Sequence, residues 1–165
     1  MEVTPPALAY IGLGSNLDDP KDQVLRALAA LAALPGSRLA ARSSLYRTPP
    51  MGPPGQADYV NAVAALETTL APHALLDALQ AIEHGHARVR DVRWGPRTLD
   101  LDLLTYGALQ LHDARLTVPH PGIADRAFVL VPLAEVAPAL EIPGLGSVAM
   151  LCEATTTDGV TKLPA

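Results

Sequence analysis

In the segment TLDLDLLTYG, residues 98–107, acidic and aliphatic side chains alternate. A period of two belongs to the β-strand, whose successive side chains point to opposite faces. Leu99, Leu101 and Leu103 then share one face, and Asp100 and Asp102 share the other. Such a strand requires a sheet with one face on a hydrophobic core and the other face polar. The two aspartate Cα atoms lie about 6.5 Å apart, two steps of roughly 3.3 Å. Ionised carboxylates so placed repel each other and need compensation.

Two kinds of compensation fit. Arg88, Arg90, Arg93 and Arg97 crowd the preceding RVRDVRWGPR stretch, and Arg93 or Arg97 could pair with the aspartates as a surface ion cluster. Alternatively, the carboxylates hold a hard divalent cation; magnesium is commonly bound by one or two carboxylates together with substrate phosphates. Arginine forks match phosphate oxygens bidentately. Carboxylates and arginines together therefore point to a polyphosphate site. IGLGSN near the start lacks the Gly-Lys-Ser/Thr ending of a phosphate-binding loop, so side chains and sheet edges must hold any nucleotide.

With 165 residues, one domain with a real core is expected. Hydrophobic residues make up 49% and aromatic ones only 4%, so Ala, Leu and Val supply most of the packing. No apolar run approaches the roughly 20 residues of a membrane span. MEVTPPALAYIGLG has no basic leader region, and Cys152 is the sole cysteine; a reducing cytoplasm fits both. The net charge of −5 argues against broad nucleic-acid binding.

ALAYIGLGS reads as a buried first strand. DDPKDQVLRALAALAALPG reads as a helix, with Asp18 or Asp19 as cap, Pro20 in the first turn and a Val24, Leu28, Leu31 stripe. RLAARSSLYRT reads as a second strand, and PPMGPPGQA as a loop rich in proline and glycine. DYVNAVAALET alternates, with Val60, Ala62, Ala64 and Leu66 on one face and Tyr59, Asn61 and Val63 on the other. APHALLDALQAIEHGHA is a second helix, and RAFVLVPLAEVAP a short one after the aspartate strand. TTTDGVTKLPA, roughly residues 155–165, reads as a loose polar tail. The order strand, helix, strand, strand, helix, strand is that of an α+β, ferredoxin-like βαββαβ core. Its sheet is mainly antiparallel, with helices on one face and the other face free for an active site.

The blocks YIGLGSNL, YRTPPMGP, DYVNAVAALET, RWGPRTLDLDLL and LTVPHPGIADRAFVLVPLAEVAP together resemble the hydroxymethyldihydropterin pyrophosphokinases of folate biosynthesis. The resemblance runs from about Tyr10 to Pro138. It implies transfer of diphosphate from ATP to 6-hydroxymethyl-7,8-dihydropterin, releasing AMP, with two Mg²⁺ ions on Asp100 and Asp102. It also implies a monomer that binds only these small molecules. For the pterin it implies Thr48, Pro49, Met51, Tyr59, Asn61, Trp94 and Phe128. For ATP it implies Gln80, Glu83, Arg90, Trp94, Arg97, Arg115, Thr117, His120 and Arg126. Arg88 and Arg97 join the aspartates as catalytic candidates. Two departures bear on the ATP contacts. The stretch between Arg90 and Arg93-Trp94 is one residue shorter than in the best-known bacterial members, and Pro121 follows His120 where the family often has an aromatic.

The implied nucleophile is the pterin hydroxymethyl oxygen, the target the β-phosphorus of ATP, and either aspartate is a candidate proton acceptor. Residues 47–57 and 84–95 are candidate lids that would exclude water. A competing reading, an RNA-binding module on the same sheet, is disfavoured by the acidic charge and the scarcity of aromatics. Another magnesium-dependent phosphoryl or nucleotidyl transferase would be distinguished by its by-product, ADP rather than AMP.

Overall fold

The strand pattern builds a six-stranded antiparallel sheet. The computed structural model describes residues 6–16, 19–49, 58–87, 99–157 and 159–164. Strand β1 (Ala7–Ser15) is followed by helix α1 (Pro20–Ala32), strands β2 (Ser37–Arg42), β3 (Tyr46–Thr48) and β4 (Tyr59–Thr68), helix α2 (Pro72–Ala87) and strand β5 (Asp100–Tyr106). In the sheet, β5 flanks β1, β1 flanks β4, and β2 and β3 share the far edge of β4. All of these pairings are antiparallel, and the order is that of the ferredoxin-like βαββαβ core.

The expected second strand is broken. Ser43 leaves the ladder because its hydroxyl accepts the Val63 N–H at 2.9 Å, while its own N–H donates to the Val63 carbonyl at 2.8 Å. A serine hydroxyl competing for backbone partners interrupts regular pairing in this way.

The main core lies between the sheet and α1 with α2. Ile11 and Leu13 of β1, Val24, Leu28 and Leu31 of α1, and Leu75 and Leu79 of α2 meet Leu101 and Leu103 of β5 and Leu66 of β4 there. The α1 stripe is the one its sequence spacing predicts.

The chain then adds hairpin β6 (Leu111–His112) and β7 (Thr117–Val118), a 3₁₀ turn at Ile123–Asp125, and helix α3 (Ala127–Val136). Hairpin β8 (Glu141–Ile142) and β9 (Gly146–Ser147), helix α4 (Val148–Glu153) and strand β10 (Thr161–Lys162) complete it. α3 and α4 pack on the sheet face opposite α1 and α2. There Tyr10, Val63, Ala65 and Leu104 form a second core with Leu130, Leu133, Ile142 and Val148. Leu104 follows Asp100 and Asp102 on that face by alternation, and the β1–β5 register shift beyond it turns Tyr106 onto the first core. Among the described residues the second face is thus half covered, and its open half carries the aspartates. The polar stretch after α4 is tied back to the domain: the Thr155 hydroxyl donates to the Ala124 carbonyl, β10 pairs with β3, and the Leu163 N–H donates to the Leu45 carbonyl.

α3 is tied to the broken edge strand by a single carboxylate. Glu135 accepts hydrogen bonds from the Ser44 N–H at 2.9 Å, the Ser44 hydroxyl at 2.8 Å and the Tyr46 hydroxyl at 2.6 Å. Partial burial works to raise its pKa, but the Tyr46 and Ser44 bonds and the Lys162 charge outweigh it and hold the carboxyl below its ordinary 4.5. The same arrangement pushes the Tyr46 phenol up, through burial first and then the Glu135 bond. A depressed folded-state pKa contributes stability above the unfolded value, and that stability is lost as pH falls through the folded one. Glu135→Gln is therefore expected to be less stable than the parent at neutral pH, with the gap closing as pH falls below about 4. Denaturant titrations across that range check this; a gap independent of pH would contradict it.

Candidate active site

Three strands set the floor of a cleft of about 220 Å³ on the open half of the second face. Gly14 of β1 lies opposite Asp100 on one side and Asn61 on the other; Gly12 lies opposite Asp102 and Val63. The glycines leave the floor bare between the two carboxylates and the Asn61 amide. Asp100 and Asp102 share this face with the leucines turned away, as the alternation predicts. The walls are Thr48 and Pro49 at the end of β3, Tyr59 of β4, and Arg126, Phe128 and Val129 at the start of α3.

The orientation of Asn61 is fixed. Its Nδ2 donates to Thr48 Oγ1 at 2.7 Å, which turns Oδ1 toward Gly14. A Cβ built on Gly14 would come within 2.7 Å of that oxygen. The Asn61 side chain is thereby held as a directed acceptor at the cleft floor. Tyr59 stays a phenol at neutral pH: burial raises its pKa, and the Asp100 charge raises it further.

At the α3 end, the Arg126 guanidinium lies 5.8 Å from the Phe128 ring centroid, within cation–π range. Gly122 makes room for it, since a Cβ there would meet Arg126 Nε at 2.7 Å. His120 Nδ1 accepts the Gly122 N–H at 3.1 Å, which leaves its proton on Nε2, 4.0 Å from Asp102 Oδ1. Burial, assisted by the Arg126 charge and opposed by Asp102, lowers the His120 pKa, so the ring is neutral at pH 7.

The outer edge of β5 is closed from the other side. Glu83 Oε2 accepts the Leu101 N–H at 2.8 Å, between the two aspartates, and the His120 N–H donates to the Leu104 carbonyl at 2.8 Å. Further out, Arg115 pairs with Asp77 at 2.6 Å and approaches Gln80 at 3.5 Å, and Thr117 Oγ1 meets His112 Nδ1 at 2.9 Å.

Among the residues singled out in the sequence, the structure thus gathers Thr48, Pro49, Tyr59, Asn61, Asp100, Asp102, Arg126 and Phe128 around one cleft, with His120 beside it. Gln80, Glu83, Arg115 and Thr117 sit beyond β5, on α2 and the β6–β7 hairpin, and do not line the cleft. Met51, Arg88, Arg90, Trp94 and Arg97 lie outside the described residues, as do most of the two candidate lids. The two floor glycines escaped the sequence reading, although their GLG alternation on a strand was a signal.

Among the described residues no group of three or more His, Cys, Asp or Glu side chains is arranged to hold a metal ion. Two carboxylates on one face of a cleft still suit magnesium, which completes its shell with phosphate and water.

The fold and the cleft define a ferredoxin-like α+β protein with an acidic, aromatic-walled ligand site. The model of the 7,8-dihydro-6-hydroxymethylpterin-pyrophosphokinase family matches residues 10–138. The chain belongs to that family. It is 52% identical over 155 residues to the 2-amino-4-hydroxy-6-hydroxymethyldihydropteridine pyrophosphokinase of Pseudomonas aeruginosa, covering 94% of this chain and 96% of that one. The protein of the same name from Bacillus subtilis is 41% identical over 134 residues, covering 81% and 80%. Among solved structures, wild-type Plasmodium falciparum HPPK-DHPS with pterin and p-hydroxybenzoate superposes with a TM-score of 0.72 at 14% identity. That match covers 93% of this chain and 44% of the solved one, so this chain spans less than half of that longer protein.

Gly14→Ala is expected to force the Asn61 amide off Thr48 and to cost about 1–3 kcal/mol of stability. Denaturation curves and the Asn61 side-chain amide resonances check this. Unmoved resonances would show that the floor tolerates a Cβ.

Proposed function

We propose that the chain transfers the terminal diphosphate of ATP to 6-hydroxymethyl-7,8-dihydropterin, giving AMP and the pterin diphosphate in folate biosynthesis. The observation that carries this is the shared row of Asn61, Gly14 and Asp100 across β4, β1 and β5. Two inter-strand spacings put Asn61 and Asp100 about 9.6 Å apart. That span lets a bicyclic ring lie between Phe128 and Tyr59 with its amide edge on Asn61 and its hydroxymethyl arm toward the carboxylates. Family membership and relatives of the same name, one of them 52% identical, support the same reading.

In this reading Thr48, Pro49, Met51, Tyr59, Asn61, Trp94 and Phe128 hold the pterin. Gln80, Glu83, Arg90, Trp94, Arg97, Arg115, Thr117, His120 and Arg126 serve ATP. Two Mg²⁺ ions on Asp100 and Asp102 supply positive charge against the polyphosphate when bound. The hydroxymethyl oxygen attacks the β-phosphorus, the bond from that phosphorus to the α,β-bridging oxygen breaks, and AMP departs with that oxygen. The hydroxyl proton passes to the carboxylate of Asp100 or Asp102 as the new bond forms. Arg88, Arg97 and Arg126 oppose the charge that develops on phosphate oxygens. Phe128 and Tyr59 hold the pterin ring in line with the phosphate, and this positioning accounts for much of the rate. The enzyme works as a monomer in the cytoplasm.

The purified protein is expected to make AMP from ATP only when the hydroxymethylpterin and magnesium are both present. ADP as product, or AMP formed without the pterin, would overturn the reading. Asp102→Ala is expected to lower kcat by about 10²-fold or more with an unchanged unfolding midpoint. Near-parental turnover in that variant would remove the carboxylate pair from the reaction.

A further inference from the structure

The cleft has one wall on α3 and another on β3, and these two elements touch again at their opposite ends. α3 presents Phe128 and Val129 to the cleft in its first turn and Glu135 to Ser44 and Tyr46 in its last. β3 presents Thr48 to the cleft and Tyr46 to Glu135. Phe128 and Glu135 are separated by about 10 Å along the helix, seven residues at 1.5 Å each.

β3 is a short edge strand, paired along its inner side with β4. It is three residues long, and among the described residues its outer edge is paired with the two-residue strand β10. It begins directly after the Ser43–Leu45 break, where the ladder is interrupted and the Ser44 N–H turns to Glu135. Both carboxylate oxygens are engaged, Oε1 by the Ser44 N–H and the Tyr46 hydroxyl, Oε2 by the Ser44 hydroxyl. Although the Glu135 side chain is largely exposed, Tyr46 is 6% exposed, so its hydroxyl loses a partner within the packed face if the carboxylate goes.

We propose that Glu135 is a positioning residue for the pterin half of the cleft, fixing the separation of α3 from β3 so that Phe128 faces Thr48 and Pro49 across the width of a flat ring. The inference rests on the pyrophosphokinase reading above. Glu135 touches neither substrate. Its removal lets the two walls drift at their far ends, and the cost falls on the ligand gripped between them. Asp100 and Asp102 on β5, Gln80 and Glu83 on α2, and Arg115 and Thr117 on the β6–β7 hairpin lie on elements the contact does not reach, and Arg126 caps α3 at the end away from Glu135.

Steady-state kinetics of Glu135→Ala test this. KM for the hydroxymethylpterin is expected to rise about tenfold, equivalent to roughly 1.4 kcal/mol, a larger change than any in kcat or in KM for ATP. Glu135→Gln retains an acceptor for Ser44 and Tyr46 and is expected to restore most of the pterin KM. If Glu135→Ala does not fold, Tyr46→Phe removes one of the three bonds and is expected to raise the same KM by a smaller factor. An unchanged pterin KM in the folded variants, or a parallel loss in kcat and both KM values, would overturn the inference. A parental protein that makes no pterin-dependent AMP would instead overturn the activity reading.

Discussion

The site depends on a taper in side-chain size along one face of β1. Tyr10, Gly12 and Gly14 follow one another on the face turned away from α1 and α2. At Tyr10 the face is filled: the ring packs with Leu104, Val63 and Ala65 beneath α3 and α4. At Gly12 the filling ends, with only the Leu104 side chain within 3.4 Å of where a Cβ would stand. At Gly14 the floor is open and the Asn61 amide leans into the space. One strand thus turns a close-packed core into a cleft within a few residues, and the alternation of β5 places its carboxylates where the packing stops.

Electrostatics in the cleft follow from the same geometry. Arg126 stands at the N-terminus of α3, and Gly122 lets its guanidinium settle over Phe128. The ring is thereby held as a flat wall while the cation stays in the cleft. His120 is kept neutral by burial and by that cation, and the Gly122 N–H fixes its tautomer. It is therefore a hydrogen-bond donor beside Asp102 and adds no charge there.

Much of this was legible in the chain. The alternation in TLDLDLL assigned the leucines to the core and the aspartates to the open face, and that in DYVNAVAALET separated Val60 and Leu66 from Asn61 and Val63. The α1 stripe was equally plain. What escaped depends on contacts between segments distant in sequence. AFVLVPLAEV is apolar nearly all round, so no stripe announced which sheet face α3 would cover. The break at Ser43 needs the Val63 backbone, and the floor glycines acquire their role only when register sets them between Asn61 and Asp100. Glu83 was read as a nucleotide residue; its carboxylate sits on the Leu101 N–H, a partner no spacing rule identifies.

β5 also orders the two halves of the proposed reaction. On its inner side lie β1, β4 and β3 with the residues proposed for the pterin. On its outer side Glu83 takes the Leu101 N–H and His120 gives its own N–H to the Leu104 carbonyl. These bonds occupy edge groups that would otherwise invite another strand, and they draw α2 and the loop after β7 against the strand that carries the aspartates. Gln80 and Arg115 come with them, joined to each other and to Asp77. Of the residues proposed for ATP, Gln80, Glu83, Arg115, Thr117 and His120 thus stand on the outer side of β5, while Arg126 shares the α3 wall with Phe128. In the proposed reaction the β-phosphorus of ATP and the pterin hydroxyl meet over the two carboxylates, at the strand between these two sets of residues.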